Sequence, residues 1–114
     1  MLHIPNLCFL TNKKAGAAAE KLAEQDLVRQ GNQILGSQVS VRTSAGIRRI
    51  DHLIKDSSGN IKAIEVKAGN GKRNASQLKK DSLLETEGGV IIGKNAPEDL
   101  VGQFIKIPTS EMRY

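Results

Sequence analysis

Three charged residues occupy positions where two neighbouring strands can bring their side chains together. Asp51 lies in the first strand-like run of residues 47–68, and Glu65 and Lys67 lie in the second run. Successive side chains of a strand point to opposite faces, so Glu65 and Lys67 share a face. Two carboxylates and an amine in one place can hold a divalent cation and hydrolyse a phosphodiester bond. These residues are the first candidates for a catalytic site.

Each of these side chains has a predicted role in that chemistry. Phosphodiester hydrolysis needs a positioned water, neutralisation of charge on the phosphate and help for the leaving oxygen. Asp51 and Glu65 are predicted to bind Mg²⁺ or Mn²⁺, with Zn²⁺ less favoured, because magnesium takes one or two carboxylates and completes its shell with water and phosphate. Lys67 is predicted to hold or activate the attacking water, or to stabilise negative charge in the transition state.

The segment that carries these residues is predicted to be a β-hairpin. Its two runs, in which apolar and charged residues alternate, flank a turn at residues 56–60. Further strands are predicted at residues 33–43, 90–92 and 103–107. The middle one is fully apolar, which is typical of a strand covered on both faces. Residues 97–101 are predicted to form one helical turn that begins at proline.

A helix is predicted before the hairpin, over residues 13–31. The segment is rich in Ala, Glu, Lys and Leu, and Gly31 can end it. Glu20 lies at the edge of its apolar stripe, where the carboxylate can lean over the sheet and orient the water or hold a second metal. The alternative for Glu20 is a solvated helix residue. Asp26 falls inside the stripe, and the sequence gives no reason for it.

A second helix is predicted after the hairpin, from Asn74 or Ser76 to Glu87. Gln77, in its first turn, can donate a hydrogen bond to a phosphate or contact Lys67 from the far side of the site. The order of elements favours an α/β fold in which a mixed central sheet is flanked by helices. A chain of 114 residues predicts one domain, residues 1–114, with residues 1–12 as a lead-in of no assigned chemistry.

The charge of the chain favours an anionic partner. Lys and Arg number 17 against 12 Asp and Glu, a net charge of +5, which suits nucleic acid but also serves solubility. Arg48, Arg49, Lys72 and Arg73 are the candidates for phosphate contacts, or else solvated charges. Aromatic residues make up only 3% of the chain, so backbone contact is favoured over base stacking. Duplex DNA is the preferred substrate, and RNA, including tRNA, remains open.

The cysteine and histidine content limits other chemistries. Cys8 is the only cysteine, which excludes an internal disulfide and a site built from several cysteines. His52 is predicted to point away from Asp51 and to serve in packing. No apolar run has membrane-spanning length, and the first residues lack the charge order of a signal peptide, so no membrane anchor is expected.

An Asp followed by Glu-x-Lys at the end of the next apolar strand resembles the PD-(D/E)XK, or restriction-endonuclease-like, nuclease superfamily. Ile50 stands where many members have a proline before the Asp. Gln77 resembles the helical Gln that follows the Glu-x-Lys strand in many relatives. Helix residues similar to those of resolvase-like members are Gly16, Glu20, Ala23, Leu27, Gly31 and Ile34. The resemblance covers roughly residues 16–81 and implies a restriction-endonuclease-like fold and a metal-dependent endonuclease.

The motifs Arg-x-Ile-Asp-His, Glu-Val-Lys-x-Gly and Gln-x-x-Lys-Asp also resemble nuclease domains at the C-terminal ends of contact-dependent inhibition and related bacterial polymorphic toxins. This resemblance implies a DNase domain that is released from a larger secreted or surface-exposed protein and acts in the cytoplasm of a target cell. It also implies a cognate immunity protein. The alternatives are an RNA- or tRNA-cleaving toxin with the same site, a resolvase-like repair nuclease, and a non-catalytic basic domain that binds nucleic acid.

Overall fold

The computed structural model describes residues 12–114, and side chains from residue 14 onward. Apart from residue 12, the predicted lead-in therefore lies outside the described residues, as does Cys8. The elements are α1 (Asn12–Arg29), β1 (Gln33–Thr43), β2 (Gly46–Lys55), β3 (Ile61–Lys67), α2 (Ala75–Thr86), β4 (Gly89–Ile92), β5 (Phe104–Ile105) and β6 (Thr109–Arg113). No helix within this part of the chain is long and apolar enough to cross a membrane.

The strands form one mixed sheet of six strands in the order β5-β4-β1-β2-β3-β6. Neighbouring strands are antiparallel except β3 and β6, which run parallel. The predicted class, an α/β fold with a mixed sheet flanked by helices, is confirmed. The hairpin of β2 and β3 lies inside the sheet, so both of its strands are held by neighbours on either side.

The two helices cover opposite faces of the sheet. Small Ala side chains let α1 approach closely, and its cluster consists of Ala19, Ala23, Leu27, Ile54, Ile64 and Val66. The cluster beneath α2 includes Val39, Val41, Ile50, Leu53, Leu84 and Ile91. Each fully buried Leu or Ile of this kind stabilises the fold by roughly 1.5–3 kcal/mol relative to an exposed one. The predicted apolar stripe of α1 is therefore confirmed for Ala19, Ala23 and Leu27, which pack against the sheet.

A capping box fixes the start of α2. The Asn74 side chain accepts a hydrogen bond from the Gln77 backbone N–H at 2.8 Å, and Gln77 Oε1 accepts one from the Asn74 N–H at 2.9 Å. Each side chain satisfies a backbone donor that the helix leaves free. The cap therefore places Gln77 at one fixed position, at the mouth of the cleft described below.

The alternation of β2 breaks at Asp51. Ile50 packs in the cluster beneath α2, but His52 bonds to α1 on the other face. Across the pair, Ser37 lies opposite His52 and Val39 opposite Ile50, so the residue between them, Gln38, faces Asp51. Gln38 has a φ of 54°, in the left-handed region that costs a non-glycine residue roughly 1–2 kcal/mol. The break turns Asp51 out of the packed layers.

Two predictions for the C-terminal part of the chain were wrong in detail, and one was confirmed. The predicted strand 103–107 is reduced to β5, and the chain forms β6 instead, whose partly or fully exposed residues show no apolar alternation. Residues 97–101 form the predicted single helical turn, in which the carbonyl of Pro97 accepts from the backbone N–H groups of Leu100 and Val101. The strand at 90–92 is only half buried, because α1 does not cover that part of the sheet.

Candidate active site

An open cleft of about 490 Å³ lies between α1, the β2–β3 hairpin and the start of α2. Its lining includes all five residues to which the sequence assigned catalytic chemistry: Glu20, Asp51, Glu65, Lys67 and Gln77. The structure therefore brings together side chains that come from two helices and two strands. The sheet thus brings together residues that are as far apart in the chain as Glu20 and Gln77.

Asp51 is fixed in the cleft by the neighbouring strand. Its Oδ2 accepts a hydrogen bond from the backbone N–H of Val66 at 2.8 Å, which places its carboxylate beside Glu65. Burial raises the pKa of Asp51, and the adjacent carboxyl of Glu20 raises it further, while the hydrogen bonds from Val66 and Gln38 partly oppose the shift. No Lys or Arg of the described residues forms an ion pair with Asp51. Its negative charge is therefore unmatched.

Glu65 is almost fully buried, with 4% of its surface exposed. Its Oε2 accepts from Arg48 Nη2 at 2.8 Å, and its Oε1 lies 3.2 Å from Lys67 Nζ. Burial and the charge of Asp51 raise the pKa of Glu65 despite these two cations. Both carboxyls thus hold protons more tightly than usual, first because they are buried and then because each has an acidic neighbour, Glu20 for Asp51 and Asp51 for Glu65.

Gln38 links Glu20 to Asp51, and sequence reasoning missed it. Its Nε2 donates to Glu20 Oε1 at 2.6 Å and lies 3.4 Å from Asp51 Oδ1. The amide therefore occupies the space between two acidic side chains that would otherwise repel directly. Counting back from the turn at residues 44–45 would have placed Gln38 opposite Asp51, which is the signal that the sequence offered.

His52 ties α1 to the sheet, so its predicted packing role is confirmed, but the break at Asp51 places it on the α1 side with Glu20 and not on an opposite face. Its Nε2 lies 2.9 Å from the backbone carbonyl of Glu20, and its Nδ1 lies 2.9 Å from Ser37 Oγ. The carbonyl can only accept, so Nε2 carries the hydrogen. The contact sets the height of α1 at Glu20 and so positions the carboxylate over the cleft.

Lys67 and Gln77 complete the lining. The Lys67 side chain is 20% exposed and leaves part of its ammonium group accessible from the cleft. Gln77 uses its side-chain oxygen in the capping box, so its amide N–H groups are what it can still offer to a ligand. Both residues can donate hydrogen bonds to an anion in the cleft, which matches their predicted roles.

Arg48 lines the cleft but is buried and paired with two carboxylates, so its predicted contact with a phosphate stays a prediction. The residue is 6% exposed, and its Nε donates to Asp81 Oδ1 at 2.7 Å while Nη2 donates to Glu65. Burial lowers the pKa of Arg48, but Asp81 and Glu65 outweigh burial and raise it above its ordinary value. Arg48 therefore holds Glu65 and α2 in place. It contacts α2 through Asp81, a residue whose role sequence reasoning missed.

The other three predicted phosphate contacts divide into two kinds. Arg73 is partly buried and paired, with Nη1 3.0 Å from Asp81 Oδ2. Its Nε lies 3.3 Å from Glu111 Oε2 without the geometry of a hydrogen bond. Arg49 and Lys72 are exposed, and Arg49 lines the cleft. Only these last two have side chains free to meet a phosphate.

The donors in the cleft suit a magnesium ion that keeps much of its water. Among residues 14–114, no group of three or more His, Cys, Asp and Glu side chains is arranged to hold a metal ion. Asp51 and Glu65 nevertheless supply a pair of carboxylates, and Mg²⁺ needs only one or two when phosphate oxygens and water complete its shell. A cation would stabilise the charged form of both buried carboxyls, so this donor set fits the predicted metal.

Comparison of the chain with protein-family models, with curated proteins and with solved structures found no match. The functional interpretation of the cleft therefore depends on its own geometry and charges.

Proposed function

We propose that this protein is a metal-dependent endonuclease that hydrolyses phosphodiester bonds in nucleic acid, with DNA as the preferred substrate. One observation carries the proposal. The carboxylates of Asp51 and Glu65 lie side by side with Lys67 in an open cleft, and both carboxylates are destabilised there. Perturbed acidic groups that converge in a cleft with a lysine are typical of a reaction site.

Asp51 and Glu65 would hold Mg²⁺ or Mn²⁺, and Glu20 is a further carboxylate beside Asp51. When bound, such an ion supplies neutralisation of the phosphate and support for the leaving oxygen. Asp51 Oδ2 accepts the short hydrogen bond from Val66, whereas Oδ1 has only the long contact with Gln38 at 3.4 Å, so Oδ1 is the oxygen that would bind a cation. The site is thus prepared on the protein side before any ligand arrives.

The remaining side chains bind and orient the reactants. Lys67 spends one donor on Glu65 and has others for the attacking water or a phosphate oxygen. Glu20 has one oxygen engaged by Gln38, and the other can accept a hydrogen bond from the water and take its proton. Gln77 can donate its amide to the phosphate from the opposite wall.

A second function, a non-catalytic basic domain that binds nucleic acid, has one observation in its favour. Both oxygens of Glu65 already contact cations of the protein, Arg48 and Lys67, as in a structural ion-pair network. That arrangement accounts for Glu65 but not for Asp51 and Glu20. Their adjacent carboxyls bring a cost that a mere binding surface would have no reason to retain.

The toxin resemblance extends the proposal to a biological setting. We propose a DNase domain that acts in the cytoplasm of a target cell and is neutralised by an immunity protein. A small acidic protein encoded by the neighbouring reading frame should form a stable complex with this basic chain and block cleavage. A neighbour that neither binds nor inhibits would argue for the repair-nuclease setting instead.

The test of the chemistry is cleavage with and without metal. Supercoiled plasmid and total tRNA are incubated with the protein in Mg²⁺, in Mn²⁺ or in EDTA, and products are separated on gels. The proposal expects plasmid cleavage that stops with EDTA and with Lys67→Ala, and that persists in the matched variant Lys55→Ala. Cleavage of tRNA alone would assign the same chemistry to RNA. A protein that shifts both substrates and cuts neither would be a binder.

A further inference from the structure

One half of the sheet is left open on the face that α1 covers elsewhere. On this face Ser40 pairs with Ile92 on one side and Arg49 on the other, and Arg42 occupies the next row beside Ile47. Arg42 and Arg49 are exposed, and Ile47 is 52% exposed. The opposite face of the same strands is filled by the cluster beneath α2. A ligand can therefore reach these side chains.

A second cleft of about 270 Å³ lies on this open face. It shares Gln38 and Arg49 with the candidate active site, so the two clefts adjoin. Its far wall is the loop after β4, which carries Lys94 and Asn95. Asn95 Nδ2 donates to the backbone carbonyl of Gln38 at 3.2 Å, which holds this loop against β1.

The charges of this region are all of one sign. We call Arg42, Arg49 and Lys94 the basic face; none of them forms an ion pair with a carboxylate in the part of the chain that the structure describes. No acidic residue lines the second cleft. Arg48 and Arg73, by contrast, are both paired. Cations that are left without partners beside an acidic cleft are suited to an anion that spans both places.

We propose that the basic face binds the phosphodiester backbone on one side of the bond that is cut. The strand leaves the catalytic cleft at Arg49, crosses the open sheet and reaches Lys94, with Arg42 on a neighbouring phosphate. This inference rests on the proposed nuclease function and specifies how that site takes a polymer. Backbone contact is shared by DNA and RNA, and it is independent of sequence, as the scarcity of aromatic residues also suggests.

The first test measures binding without cleavage. Labelled duplex DNA and single-stranded RNA, each roughly 20 nucleotides long, are titrated in EDTA over a series of salt concentrations, since each lost phosphate contact lowers the salt slope by about 0.9 for duplex DNA and about 0.7 for single strands. Arg42→Gln and Lys94→Gln are compared with Lys55→Gln and Lys79→Gln, which remove the same charge from exposed positions outside both clefts. Melting curves check that each variant is folded.

The basic-face variants are expected to bind several-fold more weakly than wild type, with a salt slope reduced by about one contact each, whereas the controls change affinity by less than about twofold. Equal losses in all four variants would show that only net charge matters and would overturn the inference. Unchanged affinity in Arg42→Gln and Lys94→Gln would overturn it as well. Comparison of the DNA and RNA titrations identifies which polymer the face prefers.

Kinetics separate this inference from the proposed function. The kcat/KM value is measured for a polymer substrate and for the small diester bis(4-nitrophenyl) phosphate. The polymer value divided by the diester value is expected to fall in Arg42→Gln and Lys94→Gln, mainly because KM for the polymer rises. A protein that cuts nothing but still loses affinity in these variants would retain the basic face and lose the nuclease. A protein that cuts normally, with an unchanged ratio, would retain the nuclease and lose the basic face.

Discussion

Two groups of charged side chains meet at Glu65 and differ in whether their charges are matched. Beneath α2, Arg48 contacts both Glu65 and Asp81, and Arg73 contacts Asp81 from the other side. We call this group the ion-pair network. Every buried carboxylate in it has a guanidinium within hydrogen-bond distance, so the cost of burying the charges is offset by their partners.

On the other side of Glu65, beneath the edge of α1, the carboxyls of Glu20 and Asp51 lie together with no cation between them. We call this pair the acid cluster. The amide of Gln38 contacts both residues, and the backbone of Gln38 has an unfavourable left-handed conformation. The acid cluster therefore retains charge repulsion, and Gln38 retains backbone strain, that other side chains at these positions would remove.

The difference between the two groups separates scaffold from site. A matched network can be explained by stability and position alone, whereas an unmatched cluster in an open cleft needs a ligand to account for it. Glu65 belongs to the network and adjoins the acid cluster, since one of its oxygens contacts Arg48, the other contacts Lys67, and the charge of Asp51 raises its pKa. The ion-pair network thus fixes the position of Glu65 in the candidate site.

The largest effect is expected from a change in the acid cluster. Asp51→Asn should lower plasmid cleavage about a thousandfold, because a ligand for the cation is lost while the hydrogen bond from Val66 can persist. The same variant should be more stable than wild type in urea at neutral pH, since one of two repelling charges is gone. The exposed Asp99→Asn is the control and should change neither property.

Near-normal cleavage by Asp51→Asn would remove the acid cluster from the mechanism. A marked loss of stability in this variant would show that Asp51 belongs to the scaffold, and the contrast between the two groups would disappear.

In the ion-pair network, the expected effect is on stability. Asp81→Ala leaves Arg48 and Arg73 without their shared partner, and breaking a buried pair in this way costs about 3–5 kcal/mol. Urea unfolding measures the loss, with Asp99→Ala as the exposed control. If the free energy of unfolding fell by less than about 1 kcal/mol, the network would contribute no more than weak surface ion pairs do, and it would not act as a scaffold.

The pH dependence of stability should reveal the acid cluster in the metal-free protein. The pKa values of Asp51 and Glu65 are raised by burial and by neighbouring carboxyls, so the folded state holds their protons more tightly than the unfolded state. Their contribution to stability is present at low pH and is lost as the pH rises through the folded pKa values.

Thermal melting of wild type and Asp51→Asn from about pH 8 to about pH 5 tests this sign, because the advantage of the variant should shrink as protons neutralise the wild-type pair. Mg²⁺ at neutral pH should raise the wild-type melting temperature and leave the variant almost unchanged. An advantage that grows on acidification would contradict the assignment of the shift.

The parts of the site that sequence predicted are those fixed by local structure. The turn at residues 56–60 is held by Asp56, whose Oδ1 accepts from Ser58 and Asn60 N–H groups. That turn sets the hairpin, and alternation then places Glu65 and Lys67 on one face. A short loop and a periodic pattern are visible in a single sequence, so the convergence of these residues could be predicted.

The parts that were missed depend on partners distant in sequence. Arg48 was taken for a surface cation, but its partner Asp81 lies 33 positions later and buries it. Counting from the turn could place Gln38 opposite Asp51, but its left-handed backbone, which accompanies the break in strand alternation, is not visible in the local pattern of residues. The strand β6 is mostly polar, and its place is set by pairing with β3 and by the packing of Met112 against the cluster beneath α1. Tertiary contacts override propensity in each of these cases.

The smallest effect is expected at the far end of α1, where the same helix carries a carboxylate with partners. Asp26, which has no role in the apolar stripe, accepts a hydrogen bond from the Tyr114 hydroxyl and pairs with Arg29 at 2.8 Å. Burial and Asp26 together raise the pKa of Tyr114 well above its usual range. Asp26 therefore behaves like the ion-pair network, whereas Glu20, less than two turns away, does not.

Tyr114→Phe should destabilise the protein by about 1 kcal/mol, the worth of one hydrogen bond, and should leave the plasmid cleavage rate within about twofold of wild type. The Tyr114 backbone N–H bonds to the Lys67 carbonyl, and phenylalanine keeps that contact, so the lysine should stay in place. Urea unfolding and plasmid cleavage measure the two quantities. A large drop in cleavage would mean that the tail positions Lys67 through the tyrosine ring, and the matched end of α1 would then be part of the site.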